Sequence, residues 1–193
     1  MTPAPLDREA TYRDLLEVPD HLVAEIVEGE LFTSPRPASR NAVATGELFA
    51  QLDRRFGDAD GGSGGCWFLI EPEVHLGRDV FVPDIAGWRK ERMPVIPDVA
   101  AFDLAPDWVC ETLSPTTSRL DRYRKLPRYA RYGIRNAWLV DPIGFGVEVY
   151  RLENEHWVLI STHEGSTLIR AEPFEAAEID LGAMWLSPPS PQS

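Results

Sequence analysis

The chain has 193 residues, room for one domain with a sizeable core, and its 44% hydrophobic and 26% charged content is ordinary for a globular fold. A formal net charge of −12 disfavours indiscriminate attraction to phosphates. No apolar run approaches the ~20 residues of a membrane helix, "MTPAPLDREA" lacks the basic start and apolar core of a signal peptide, and Cys66 and Cys110 form no CxxC pair, so they read as buried thiols of a cytoplasmic protein.

In chain order, residues 7–17 predict a short helix, and "AEIVEGELF" alternates around Glu28-Gly29 as a hairpin does. From Ala38 to Phe56, Val43, Leu48, Leu52 and Phe56 recur near a 3.6 period, which predicts a helix with Ser39 as its N-cap. "GDADGGSGGC" reads as a flexible loop whose glycines follow no phosphate-binding spacing. "CWFLIEPEVHL" and "DVFVPDIAGW" read as strands joined by a turn around Gly77-Arg78-Asp79, and the proline-punctuated "MPVIPDVAAFDLAP" as loop. "DWVCETL" is a short apolar strand, after which Thr116 or Thr117 caps a helix over 118–132 ending at Gly133. Leu120, Tyr123, Leu126 and Ala130 line one side of that helix, and Pro127 predicts a kink inside it. "NAWLVDP", "GVEVYRL" and "HWVLIST" are further strands, the first two joined by a tight turn at Ile143-Gly144, with another short strand near 176–179. Residues 187–193 read as a disordered tail, which leaves 1–186 as a single domain. This order predicts an α/β or α+β fold, with a central mixed β-sheet flanked by helices and a right-handed βαβ-like unit around the basic helix.

Two carboxylates stand out. Asp84 ends the apolar run "VFVPD", and Glu111 lies within "DWVCETL". Carboxylates in strands that otherwise read as core are costly unless paired or bound to metal. Side by side they would repel, and a hard divalent cation with oxygen ligands would relieve the repulsion. One could equally cap a loop while the other pairs with an arginine. Just beyond Glu111 come Arg119, Arg122, Arg124, Lys125, Arg128, Arg131 and Arg135, with Asp121 the sole acid among them. That run is either a solvated helix face or a surface built to meet an anion.

"VPDIAGW" followed by "ETLSPTTSRLDRYRKLPRYARYGIRNAWLVDP" resembles the Uma family of restriction-endonuclease-like proteins, within the PD-(D/E)XK nuclease superfamily. The similarity runs from "AEIVEGELFTSPRP" through "GVEVYRL". The resemblance implies a restriction-endonuclease-like fold and a Mg²⁺- or Mn²⁺-dependent phosphodiesterase site. It implies Asp84 and Glu111 as metal ligands, the Thr112 carbonyl as a third oxygen, and Lys125 as the catalytic lysine. The superfamily's usual lysine, two residues after the glutamate, is replaced here by Leu113. Asp121 is an accessory candidate, placed to hold Lys125 as an i,i+4 partner; Glu25, in the early hairpin, is a second. Arg119, Arg122 and Arg128 are candidates for substrate binding. Two departures accompany these matches: Asn41 stands where the family often has a histidine, and Asn136 where it often has a glutamate.

Other residues carry less. His21, His75, His156 and His163 show no ligand spacing, and Ser114 lacks the surroundings of a nucleophile. Trp67, Trp108, Trp138 and Trp157 read as core, leaving Trp88 as the tryptophan to test for substrate contact. The expectation is therefore a metal-dependent endonuclease acting on nucleic acid, DNA first, as a monomer or homodimer without membrane contact. The missing lysine at position 113 motivates an alternative, a catalytically inactive nuclease-fold binding module for nucleic acid or protein. A small-molecule phosphodiesterase is a third reading.

Overall fold

The computed structural model describes residues 8–57 and 65–186. Residues 58–64 of the glycine-rich loop and the tail expected at 187–193 lie outside the described residues, and Cys66, the last residue of that glycine-rich run, opens a strand.

Helix α1 (Tyr12–Leu16) starts where the Asp14 carboxylate accepts the Thr11 N–H at 2.7 Å. Strands β1 (Leu22–Val27) and β2 (Glu30–Pro35) form the expected hairpin. Its turn residues Glu28 and Gly29 both have positive φ, 55° and 78°, the twist a two-residue connection favours. Helix α2 (Ser39–Phe56) follows; its cap is Ala38 rather than Ser39. The Ala38 carbonyl accepts the first helical bond from Ala42 at 3.0 Å, and Ser39 is already helical.

The two long apolar runs each divide. β3 (Cys66–Ile70) and β4 (Glu73–Leu76) come from the first, β5 (Asp79–Phe81) and β6 (Ile85–Arg89) from the second. Pro83 cannot donate to a ladder, so the second run leaves one sheet and enters another at Val82-Pro83-Asp84. β7 (Ala101–Phe102), β8 (Trp108–Thr112), β9 (Asn136–Asp141), β10 (Gly146–Glu153) and β11 (His156–Glu164) complete two mixed sheets. One runs β11-β10-β9-β8-β6-β3 and the other β2-β1-β5-β4-β7. The first is the expected mixed sheet, with β8 and β9 parallel. The second gathers short strands whose partners are too remote in sequence to anticipate. A small pair, β12 (Leu168–Ile169) and β13 (Ile179–Asp180), leads into α5 (Leu181–Met184).

The centre of the six-stranded sheet, β6, β8 and β9, is buried on both faces. Cys110, Trp108 and Ile85 pack with Leu48 and Leu52 of α2. Val109 and Ala86 point the other way, toward Phe81, Leu126 and Tyr129. Phe81 belongs to the five-stranded sheet, so the two sheets share this second cluster.

The basic helix is not one continuous helix. It begins as α3 (Ser118–Leu120), widens into a π-helical turn over Asp121–Lys125, and resumes as α4 (Leu126–Arg131). The Leu126 N–H reaches back five residues to the Asp121 carbonyl. A proline ring clashes with the carbonyl four residues before it, and the wider turn accommodates Pro127 where a kink was expected. The extra residue also changes which side chains face inward. Asp121 and Lys125 are buried, whereas Tyr123, expected on the apolar side, is 72% exposed. Thr117 occupies the cap position but makes no side-chain cap bond; the Ser114 carbonyl accepts the Thr117 and Ser118 N–H groups instead. Gly133 ends the helix as expected, with φ 73°.

Candidate active site

Strand register brings the two prominent carboxylates together. β6 and β8 are antiparallel with Ile85 opposite Cys110, and both side chains face α2. The next residues outward, Asp84 and Glu111, therefore share the opposite face at the end of the same strand pair. The Thr112 N–H donates to Asp84 Oδ2 at 2.6 Å, which ties the Asp84 bend to the β8 terminus. Both carboxylates line a cavity of about 560 Å³, together with Glu25, Thr112, Asp121 and Lys125.

Lys125 is 2% exposed and sits among acids. Its Nζ lies 2.8 Å from Glu25 Oε1, 2.9 Å from Glu111 Oε1 and 3.7 Å from Asp121 Oδ1. The Tyr129 hydroxyl donates to the same Glu111 oxygen at 2.5 Å, and the Val82 N–H donates to Glu25 at 2.8 Å. Asp121 and Lys125, four residues apart, face the strand ends together.

One ammonium cannot balance four carboxylates. Burial, followed by the charge of Glu111, pushes Asp84 up to about 7. Burial also pushes Glu111 up to about 8 and Asp121 to about 7, even though Lys125 pulls both down. For Lys125 itself burial opposes the charge, but Glu111 and Glu25 outweigh it and hold the ammonium well above its ordinary value. The site carries more negative charge than its own cation satisfies.

This donor set fits a hard divalent cation. Asp84 Oδ1 and Glu111 Oε2 have no hydrogen-bond partner among the described residues, and both residues face the cavity. Two carboxylate oxygens with water completing the shell is how Mg²⁺ is commonly held. No group of three or more acidic, histidine or cysteine side chains in metal-holding geometry occurs among the described residues. The Lys125 ammonium explains this, since it stands between Glu25, Glu111 and Asp121. The Thr112 carbonyl accepts the Asn41 amide at 3.0 Å, so Asn41 braces the strand end from α2.

The three arginines expected to meet substrate divide. Arg122 is held by Glu148 through two bonds of 2.7 and 2.6 Å. Arg128 is spent on Asp79, whose side chain is fully buried, and on the Tyr132 hydroxyl. Through these pairs both cations fasten the helix to the sheets. Arg119 remains exposed, without an ion-pair partner among the described residues. The expectation for Trp88 is corrected. It is fully buried, its indole N–H donating to the Leu104 carbonyl at 2.8 Å.

Other residues of the site carried no sequence signal. Arg36 and Arg40 line the cavity, as do Ser114, Thr116 and Thr117. Arg36 pairs with Glu71 at 3.1 Å, whereas Arg40 is exposed with no ion-pair partner among the described residues. Their position in "SPRPASR", far from the basic run, hid them. Tyr129 was legible as a residue of the matching family motif, without a role assigned to it.

A family model, Uma2, described as "Putative restriction endonuclease", matches residues 10–182. Among solved structures, the chain is similar to a protein of Anabaena variabilis described as "a putative nuclease belonging to DUF820", with TM-score 0.73 and 21% identity over 91% of this chain and 97% of that one. At that identity the likeness is one of fold. No curated protein matches.

Proposed function

This chain belongs to the Uma2 family, and from that membership we propose that it hydrolyses phosphodiester bonds of nucleic acid, DNA first, with Mg²⁺ or Mn²⁺ at Asp84 and Glu111. The observation that carries the proposal is the pair of unpartnered carboxylate oxygens at one end of β6 and β8, in a cavity whose carboxylates outnumber its one ammonium. The Thr112 carbonyl, which keeps a second lone pair beside the Asn41 bond, is the third oxygen. The ion, when bound, would polarise a phosphoryl oxygen and acidify a water.

The chain's own groups do the rest. Lys125 neutralises Glu111 and takes the place of the lysine that Leu113 displaces. Glu25 and Asp121 keep that ammonium charged and in position. Tyr129 fixes the Glu111 carboxylate by its hydroxyl. Arg40 and Arg119 bring the phosphate backbone to a site whose acids would otherwise repel it.

Residues 1–186 act as one domain in this reading, supported by the core that the two sheets share. A cytoplasmic setting is supported by two free thiols, Cys110 buried and Cys66 partly so. Among the described residues no helix is long and apolar enough to cross a membrane. Cutting both strands of a duplex in one encounter would call for a homodimer, which light scattering with and without DNA measures.

The test is incubation of the full chain with single-stranded, duplex and circular DNA and with RNA, in Mg²⁺ or Mn²⁺. Cleavage that disappears in Asp84→Asn and in Glu111→Gln supports the enzyme. A second reading, the inactive binding module, is favoured by Leu113 and by the three acids already engaging Lys125. Binding without cutting under every condition would select it.

A further inference from the structure

Beside the catalytic cavity lies a second hollow of about 460 Å³, lined by Phe32, Thr116, Arg119, Leu120, Tyr123 and Arg124. Thr116 lines both, so the two hollows adjoin at the turn that follows β8. Tyr123 is the notable member. It is 72% exposed, and its hydroxyl has no hydrogen-bond partner among the described residues. An aromatic displayed in this way adds little to folding.

The neighbours of Tyr123 define a chemistry. Phe32 and Leu120 supply apolar wall. Arg124 lies over the Phe32 ring at 5.4 Å and is neutralised by Glu28 and Glu30, at 3.0 and 3.1 Å. Arg119 has no such partner and leaves a free positive charge at the rim. An aromatic face, an apolar wall and one uncompensated guanidinium next to a phosphodiester site match a nucleobase with its attached phosphate. A base paired inside a duplex keeps its face stacked on its neighbours and cannot offer it to a side chain.

We propose that this hollow is a subsite for an unpaired nucleobase, stacked on Tyr123, next to the bond held at Asp84 and Glu111. It rests on the nuclease reading and adds a substrate class: strands that are single, frayed or flipped at the scissile position. Arg119 holds the phosphate of the stacked nucleotide.

The test measures binding of the full chain to a single-stranded oligodeoxynucleotide carrying 2-aminopurine, and to a blunt duplex of the same sequence, with Ca²⁺ in place of Mg²⁺. Tyr123→Ala should weaken single-strand binding about 5- to 100-fold and relieve the quenching of 2-aminopurine. Tyr123→Phe should retain both, blunt-duplex binding should change little, and Tm should be unmoved in either variant because the side chain is exposed. The subsite is overturned if Tyr123→Ala binds the single strand as the unmodified chain does, if Tyr123→Phe fails as Ala does, or if duplex binding falls equally. Should the unmodified chain bind neither oligonucleotide, the nuclease reading falls and takes the subsite with it.

Discussion

The Thr112 backbone N–H donates to Asp84 Oδ2 at 2.6 Å, a bond between residues on two neighbouring chain segments that holds the proposed ligands at one rim. An asparagine at position 84 can accept the same bond through its amide oxygen. Asp84→Asn should therefore fold normally while abolishing metal-dependent cleavage. It should also stabilise the metal-free protein at pH 8 by roughly 1–3 kcal/mol, because a buried charge beside Glu111 is removed. Denaturant titration in EDTA, next to a cleavage assay in Mg²⁺, measures both effects.

Lys125 stands on the other side of that balance. Lys125→Met leaves Glu25, Glu111 and Asp121 without their cation. Breaking a buried pair by removing one partner costs about 3–5 kcal/mol. We expect that loss at pH 8 and a smaller one at pH 5, where the acids can take up protons. Urea unfolding at the two pH values distinguishes this from a simple packing defect, which would cost the same at both.

The raised carboxylates set a pH dependence. Asp84, Glu111 and Asp121 bind protons in the folded state up to about 7, 8 and 7, against ordinary values of 3.8, 4.5 and 3.8. Between those limits the folded chain holds protons that the unfolded chain has released. Stability from these groups is therefore full below about pH 4 and is lost as pH rises through 7 to 8. Glu148, lowered chiefly by its bond to Arg122, works in the opposite sense at the acid end. Lys125, held well above 10.5, contributes evenly across the window. Thermal unfolding in EDTA should show Tm falling from pH 5 to pH 8, and excess Mg²⁺ should flatten the slope.

Arginine substitutions separate substrate contact from framework. Arg40→Ala should weaken DNA binding and reduce the salt dependence by about one phosphate contact, with little change in Tm. Arg128→Ala should unfold the protein more readily, by about 3–5 kcal/mol, because it strands the buried Asp79. A Kd series in rising NaCl, with melting curves on the same samples, checks the pair.

Sequence reasoning reached Asp84 and Glu111 because a carboxylate interrupting an apolar strand is a local anomaly. It reached β8, β9, β10 and β11 because each is a largely apolar or alternating run. It did not foresee the partners of Arg122 and Arg128, because Glu148 and Asp79 lie 26 and 49 residues away. A charge count along one helix cannot detect such neutralisation. Arg40 escaped because one exposed arginine looks like any other until a cavity forms around it. Tyr123 was placed on the apolar face by an unbroken 3.6 period, which the wide turn before Pro127 interrupts.

That wide turn has a consequence for tolerance to sequence length. Each residue of a regular helix advances the face by about 100°. The wide turn takes up one residue more than an α turn over nearly the same rotation. Losing one residue between Asp121 and Lys125 would therefore let the segment close into ordinary helical pitch while Ser118–Leu120 and Leu126–Arg131 keep nearly their present relation, and the two buried side chains, then three positions apart, would still share a face. The same deletion within Leu126–Arg131, where no extra residue is stored, would rotate everything beyond it.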